Sequence, residues 1–322
     1  MSVTKKDIGI QSCAIIGCGN VGATVAYSLM QSGLLTRLLL IDINQSKAEG
    51  EAEDIAHALP FNSPLEIHAG KYEDIGDCGI IIICAGANQL PGQTRIDLLN
   101  QNASIFRQIV ENIKKYNQDA ILLVVTNPVD ILTEITLQYS SYPQNRVIGS
   151  GTVLDTARLK EILGKHLGVD SRNIHAFIIG EHGDSELALW SSANVSGIDL
   201  DSFCHKNKIK FTEEIREAIC EDIRKSAYKI IEAKGATYYA IADSVRRIVT
   251  AIIKDEHTIL PVSARLDGQY DINGICLGVP CIIGKEGIIK IPEVRLNESE
   301  KQKLSYSANL IKEIIQDMKI NT

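Results

Sequence analysis

No stretch of this 322-residue chain approaches the apolar length needed to cross a bilayer; the longest runs, 80–87 and 120–125, read as buried strands. No secretory signal pattern precedes them, because the first apolar residues run straight into a glycine-rich turn. No CxxC pair occurs among the eight cysteines (Cys13, Cys18, Cys78, Cys84, Cys204, Cys220, Cys276 and Cys281), so metal-ligand spacing is missing and no metal is expected. Scattered cysteines in so large a chain read as small buried hydrophobes in a reducing cytoplasm, not as a disulfide framework. Positive charge is also in short supply: 33 Lys and Arg stand against 40 Asp and Glu, a net charge of −7. That excludes the broad basic face of a nucleic-acid binder, while a few arginines and helix N-termini can still hold small anions. Internal repeats, low-complexity tracts and Gly/Pro/Ser-rich linkers are absent too, so two halves packed around a cleft are expected.

What remains is an ordinary globular mixture, 45% apolar and 23% charged, long enough for two domains. In the first half, β-rich runs at 12–16, 37–41, 65–68, 79–84, 121–125 and 146–148 alternate with helical patterns at 21–31, 98–116 and 129–139. Strands that are apolar throughout belong in a parallel sheet covered on both faces, and the alternation predicts an α/β, doubly wound sheet. After Gly149 the rhythm changes: a helix over 152–167, a strand over 174–179, a long helical region over 212–254, and a β-rich stretch over 257–290. A final helix follows, with a capping box (Asn297, Glu300) and an apolar stripe at Leu304, Ala308, Ile311 and Ile315. The expected division is a Rossmann-type dinucleotide-binding domain over 1–149 and a C-terminal α+β substrate domain over 150–322.

Gly17-Cys18-Gly19-Asn20-Val21-Gly22 has the form G-x-G-x-x-G, directly after a strand and before a helix. The glycines allow a tight turn, close approach of a pyrophosphate, and close packing of helix on strand. Asp42 lies twenty residues beyond Gly22, at the end of the next strand, where a carboxylate can accept both ribose hydroxyls. A 2′-phosphate there would be repelled, so NAD is expected and NADP is not.

Four further segments carry polar chemistry. Residues 85–95, AGANQLPGQTR, leave a buried strand at the carboxyl edge of the sheet; two glycines and a proline suit a mobile lid bearing Arg95. Thr126-Asn127-Pro128 ends the next strand, where Asn127 either bonds a substrate oxygen or caps the following helix. Asp155 and Arg158 are three apart in a helix and so project from one face. His182 sits between Gly180 and Gly183, free to enter a cleft. Together they supply a proton carrier, a carboxylate to orient it and two arginines, the set needed to reduce a 2-keto acid.

The strings GCGNVGATVA, AGANQLPGQTR, TNPVD, GTVLDTARL, IIGEHGDSE and KGATYYAIA, with LDGQY and CLGVP, resemble the bacterial lactate/malate dehydrogenase family over nearly the whole chain. The resemblance implies that His182 is the acid/base, Asp155 its partner, Arg158 the fork that grips the substrate carboxylate, and Arg95 the lid arginine that polarises the carbonyl. It also places Asn127 and Thr237 in the substrate pocket, and Asp42 at the ribose. Gln89 matches the position that discriminates substrates: an arginine there pairs a second carboxylate, whereas glutamine suits pyruvate, whose methyl group would leave a buried arginine unpaired. Bulkier 2-hydroxy acids such as 2-hydroxyisocaproate are the alternative substrates, and a non-catalytic NAD-binding protein is the alternative class. Family resemblance further implies a homotetramer and activation by fructose 1,6-bisphosphate, held between subunits by an arginine and a histidine. His175 matches the histidine; Lys160 stands at the arginine position, with charge but no fork, and about 200° around the helix from Arg158.

Overall fold

The computed structural model describes residues 9–87 and 95–318, apart from the side chain of Arg95. In chain order the first half runs β1 (Gly9–Ile16), α1 (Asn20–Ser32), β2 (Arg37–Ile41), α2 (Gln45–Ala56), β3 (Glu66–Ala69), β4 (Cys78–Ile83), α3 (Arg95–Tyr116), β5 (Ile121–Val124), α4 (Val129–Ser140) and β6 (Val147–Gly149). The second half runs α5 (Val153–Leu167), β7 (Ile174–His175), β8 (Ile178–Ile179), β9 (Leu187–Ala188), β10 (Asn194–Val195), β11 (Ile198–Asp199), α6 (Leu200–Asn207), α7 (Glu213–Lys234), α8 (Tyr239–Ile253), β12 (Thr258–Asp267), β13 (Asn273–Gly284), β14 (Gly287–Lys290) and α9 (Glu298–Asp317).

The main sheet has the order β14-β13-β12-β6-β5-β4-β1-β2-β3. Its strands β1 to β6 pair in parallel with order 3-2-1-4-5-6, the doubly wound arrangement predicted from the apolar runs. Ile80, Ile81, Ile82 and Ile83 are fully buried, as are Ile121 to Val124, because helices cover both faces. The strand order reverses between β1 and β4, so their carboxyl ends open a crevice where ligands collect.

Three expectations are refined by the second half. The β-rich stretch is a long antiparallel hairpin, β12 on β13, and it joins the parallel sheet through Ser263 opposite Gly149. The predicted strand over 174–179 is two short strands in separate small sheets, one pairing β10 and the other β9. The chain can bend between them because Thr156 of α5 and its N-cap Thr152 satisfy Ile178: its N–H donates to Thr156 Oγ1, and its carbonyl accepts from Thr152 Oγ1. The long helical region breaks in two, since Gly235 takes a left-handed conformation (φ 83°) that ends α7. Thr237 therefore lies in a short connection, not inside a helix.

The last helix forms as its sequence predicts. Asn297 Oδ1 accepts from Glu300 N–H, Glu300 Oε2 accepts from Asn297 N–H, and Leu304, Ala308 and Ile311 are buried, with Ile315 half-buried. Among the described residues no helix is long and apolar enough to cross a membrane.

Candidate active site

At the β1–α1 turn each glycine has a separate physical reason. Gly17 takes φ 98°, and a Cβ on it would lie 2.5 Å from the backbone nitrogen of Ala85. A Cβ on Gly22 would lie 1.8 Å from the Gly17 carbonyl oxygen, so that helix and strand could not pack. Gly19 differs, because a Cβ there meets nothing within 4 Å and faces open space. It is the N-cap of α1 and supplies no side chain, leaving the N–H groups of Asn20 and Val21 and the positive end of the helix dipole for an anion. Asp42, at the end of β2, is half-buried against this turn. Its Oδ2 accepts from Cys18 N–H at 2.6 Å and its Oδ1 from Asn44 N–H at 2.9 Å. An open cradle that one extra carbon would fill, with a carboxylate fixed beside it, fits a dinucleotide.

Across the carboxyl edge, buried charges from several elements converge. Asp155 is in the first turn of α5 with its side chain 2% exposed, and its Oδ2 is 2.6 Å from His182 Nδ1. Its other oxygen, Oδ1, accepts from Arg158 Nη1 at 2.9 Å, confirming that Asp155 and Arg158 share a helix face. The imidazole is 23% exposed, so one edge meets the cleft while the other meets Asp155. Burial alone would pull the histidine down, yet the Asp155 carboxylate opposes it, and the net result is an imidazolium held up to about 9. Burial works against Asp155 as well, but His182 and Arg158 keep it below the ordinary carboxylate range.

The backbone of the histidine loop is clamped from three sides. His182 N–H donates to Asp130 Oδ2 at 2.8 Å, and Ser263 Oγ on β12 donates to Asp130 Oδ1 at 2.6 Å. Glu181 N–H donates to Ser307 Oγ of α9 at 2.7 Å, and Gly180 exchanges backbone hydrogen bonds with Gly278 of β13. Burial raises Asp130 to about 6, with the bonds from Ser263 and His182 pulling it back. Asp130 and Ser263 were not singled out in the sequence. The signal for Asp130 was an acid inside the apolar run VDILTEI, where only a dedicated partner makes burial tolerable.

Glu186 is the third carboxyl of this centre, and the sequence reading also passed over it. Ligand atoms of Asp155, His182 and Glu186 lie within 4.8 Å of one another. Such a trio has the composition of a cation site, but the short Nδ1–Oδ2 contact places a proton between the first two. Burial and the neighbouring Asp155 raise Glu186 to about 9.

The remaining predicted residues fall as follows. Asn127 is exposed at the end of β5; Pro128 is the N-cap of α4 and no side chain caps it, so the capping role is not the one Asn127 fills. Thr237 is half-buried between α7 and α8, and α8 is tied to the cofactor helix by Ser28 Oγ donating to Asp243 Oδ1 at 2.9 Å. Arg95 is the first residue of α3, but its side chain, Gln89 and the rest of 88–94 lie outside the described residues. Lys160 is half-buried on α5, where burial lowers its pKa, and His175 is exposed on β7.

Comparisons with known proteins show the family to which the chain belongs. The family model for the NAD binding domain of lactate/malate dehydrogenases matches residues 11–149, and that for their alpha/beta C-terminal domain matches 152–321. The chain is 51% identical over 311 residues to an L-lactate dehydrogenase of Acetivibrio thermocellus, covering 97% of this chain and 98% of the relative. It is 49% identical over 300 residues to L-lactate dehydrogenase 1 of Clostridium acetobutylicum, covering 93% and 96%. Among solved structures, the ligands-bound minor L-lactate dehydrogenase of Enterococcus mundtii superposes with a TM-score of 0.93 at 39% identity, covering 97% of this chain and all of that one. A lactate dehydrogenase from a deep-sea metagenome library of the Medee basin gives the same TM-score at 41% identity, covering 95% and 98%.

Proposed function

The chain belongs to the lactate/malate dehydrogenase family, and from that premise we propose that it is an NAD-dependent L-lactate dehydrogenase interconverting pyruvate and L-lactate. The observation that carries this reading is the His182–Asp155 pair with Arg158 on the same carboxylate, in a chain whose β1–α1 turn fits a dinucleotide.

Gly17, Gly19, Asn20, Val21 and Gly22 would hold the pyrophosphate and Asp42 the ribose, with Asn127 beside them. Bound NADH supplies the hydride that reduces the keto carbon. His182, kept as imidazolium by Asp155, donates its Nε2 proton to the keto oxygen; in the reverse direction the neutral ring removes that proton. Asp155 fixes the tautomer by accepting from Nδ1. One Arg158 nitrogen is used by Asp155, and the rest of the guanidinium forms the fork for the substrate carboxylate. Family resemblance gives Arg95, at the start of α3, the role of polarising the carbonyl as charge develops on oxygen, and gives Thr237 and Gln89 that of selecting the substrate side chain. The chain works as a cytoplasmic homotetramer on this reading. Its eight free cysteines and its exposed Phe61, Tyr228 and Ile231 are in keeping with a reducing compartment and an assembling surface. Lys160 and His175 are the candidate holders of fructose 1,6-bisphosphate.

The test is a keto-acid panel with NADH and NADPH, with and without the bisphosphate. Pyruvate with NADH is expected to give the highest kcat/KM, with Gln89→Arg shifting preference towards oxaloacetate. Higher kcat/KM on 2-ketoisocaproate would make this an enzyme for bulkier hydroxy acids. NADH binding without oxidation by any keto acid would make it a non-catalytic binder. Superimposable pyruvate saturation curves with and without the bisphosphate would rule out activation.

A further inference from the structure

Glu186 takes no part in the steps above, yet it is 8% exposed and its carboxyl lies within 4.8 Å of both Asp155 and His182. Its other side lines a cavity of about 810 Å³ between α7 and α9. The groups facing it are Asp155 and Arg158 from α5, His182 from its own loop, and Arg224 from α7. Around the cavity stand Cys220 and Glu221 of α7 and Lys303 of α9. The cations around it do not offset burial beside the Asp155 carboxylate, so Glu186 keeps its proton at neutral pH.

Resting on the lactate dehydrogenase reading, we propose that Glu186 is a positioning residue of the acid/base centre that, together with Asp155, sets the proton affinity of His182. Atoms of Glu186 and His182 lie within 4.8 Å of each other in a buried place, so the two groups titrate as a pair. When the pair gives up a proton to water in the cavity, the carboxylate left on Glu186 favours the imidazolium, so the ring stays charged to higher pH. The consequence is a wider alkaline range for keto-acid reduction.

Glu186→Gln keeps the size of the side chain and removes its ionisation. The expected result is a downward shift of about one pH unit in the alkaline limb of kcat/KM for pyruvate reduction. The acid limb of lactate oxidation should move down in parallel. Glu186→Asp, which can still ionise, should lie between Glu186→Gln and wild type. A readout without turnover is the affinity of the enzyme–NADH complex for oxamate, a non-reducible isostere of pyruvate, followed by NADH fluorescence across the same pH range. Its alkaline limb should shift with the kinetics. Where glutamine disturbs folding, as judged by circular dichroism, Glu186→Ser makes the same comparison with water from the cavity filling the gap. Coincident limbs in wild type and the non-ionisable variant, by kinetics and by oxamate binding, would overturn the proposal while leaving the enzyme assignment intact. A wild-type protein that oxidises no NADH with any keto acid would refute the assignment, and this role with it.

Discussion

The cofactor turn and the acid/base centre are built in opposite ways. The turn is made of backbone and of missing side chains: three glycines, the open start of α1, and one carboxylate held by two backbone N–H groups. The acid/base centre is made of buried charges, with Asp155, Arg158, His182 and Asp130 neutralising one another through hydrogen bonds from α4, α5, β12 and the loop after β8. The first site has no room for added volume where it packs, while its electrostatics are mild. In the second, the removal of one charge leaves another unbalanced in a poorly hydrated place. Steric and electrostatic substitutions should therefore damage the two sites differently.

The largest effect is expected from Asp155→Asn. His182 is held up to about 9 against the pull of burial, and Asp155 is the chief group holding it there. Without that charge, burial meets less opposition and the proton affinity of the ring falls. Reduction needs the charged ring, so the alkaline limb, near pH 9 in wild type, should move to lower pH. At pH 8, kcat/KM for pyruvate should drop by roughly 10²-fold or more, with NADH affinity nearly unchanged. A pH profile of reduction beside an NADH fluorescence titration checks both halves. An alkaline limb that stays near 9 would mean that the ring does not depend on this charge, and the contrast between the sites would fail.

A smaller, purely steric effect separates two glycines that the motif alone treats as equals. Gly22→Ala pushes a Cβ into the Gly17 carbonyl and should lower Tm by several degrees along with NADH binding. Gly19→Ala projects into open space, so Tm should hold while NADH affinity falls about tenfold, because the methyl group occupies the approach of the pyrophosphate. Melting curves with and without NADH distinguish the two. Wild-type NADH affinity in Gly19→Ala would show that the cradle lies elsewhere.

The same contrast explains what could be read from the chain. The cofactor turn is local: Gly17 to Asp42 falls within one β-α-β unit, so spacing and residue type suffice. In the acid/base centre Asp155 and His182 are 27 residues apart, and Ser263 reaches Asp130 across 133, distances that no local pattern encodes. His182 and Arg158 were legible from their flanking glycines and helix spacing, and their roles from family resemblance. Glu186 was not, because a carboxyl four residues beyond a loop histidine looks like a surface acid until the tertiary fold buries it. For the same reason the break at Gly235 was missed, since helical periodicity continues on both sides of it.

The smallest effect is expected where the two building styles meet, at Asp42, a charge that serves the turn. Its oxygens are already occupied by the N–H groups of Cys18 and Asn44, so it shapes the turn as well as repelling a 2′-phosphate. Asp42→Asn removes the charge and keeps one acceptor, but turns an amide NH₂ towards the other backbone N–H. Selectivity for NADH over NADPH should fall by about tenfold, equivalent to about 1.4 kcal/mol, with a modest loss of Tm. The ratio of kcat/KM values for the two cofactors, measured with saturating pyruvate, reads the change. A half-buried charge facing solvent is screened, which is why this shift is small beside that of Asp155→Asn, where the carboxylate is fully enclosed. Equal losses at the two positions would show that enclosure does not set the strength of these charges.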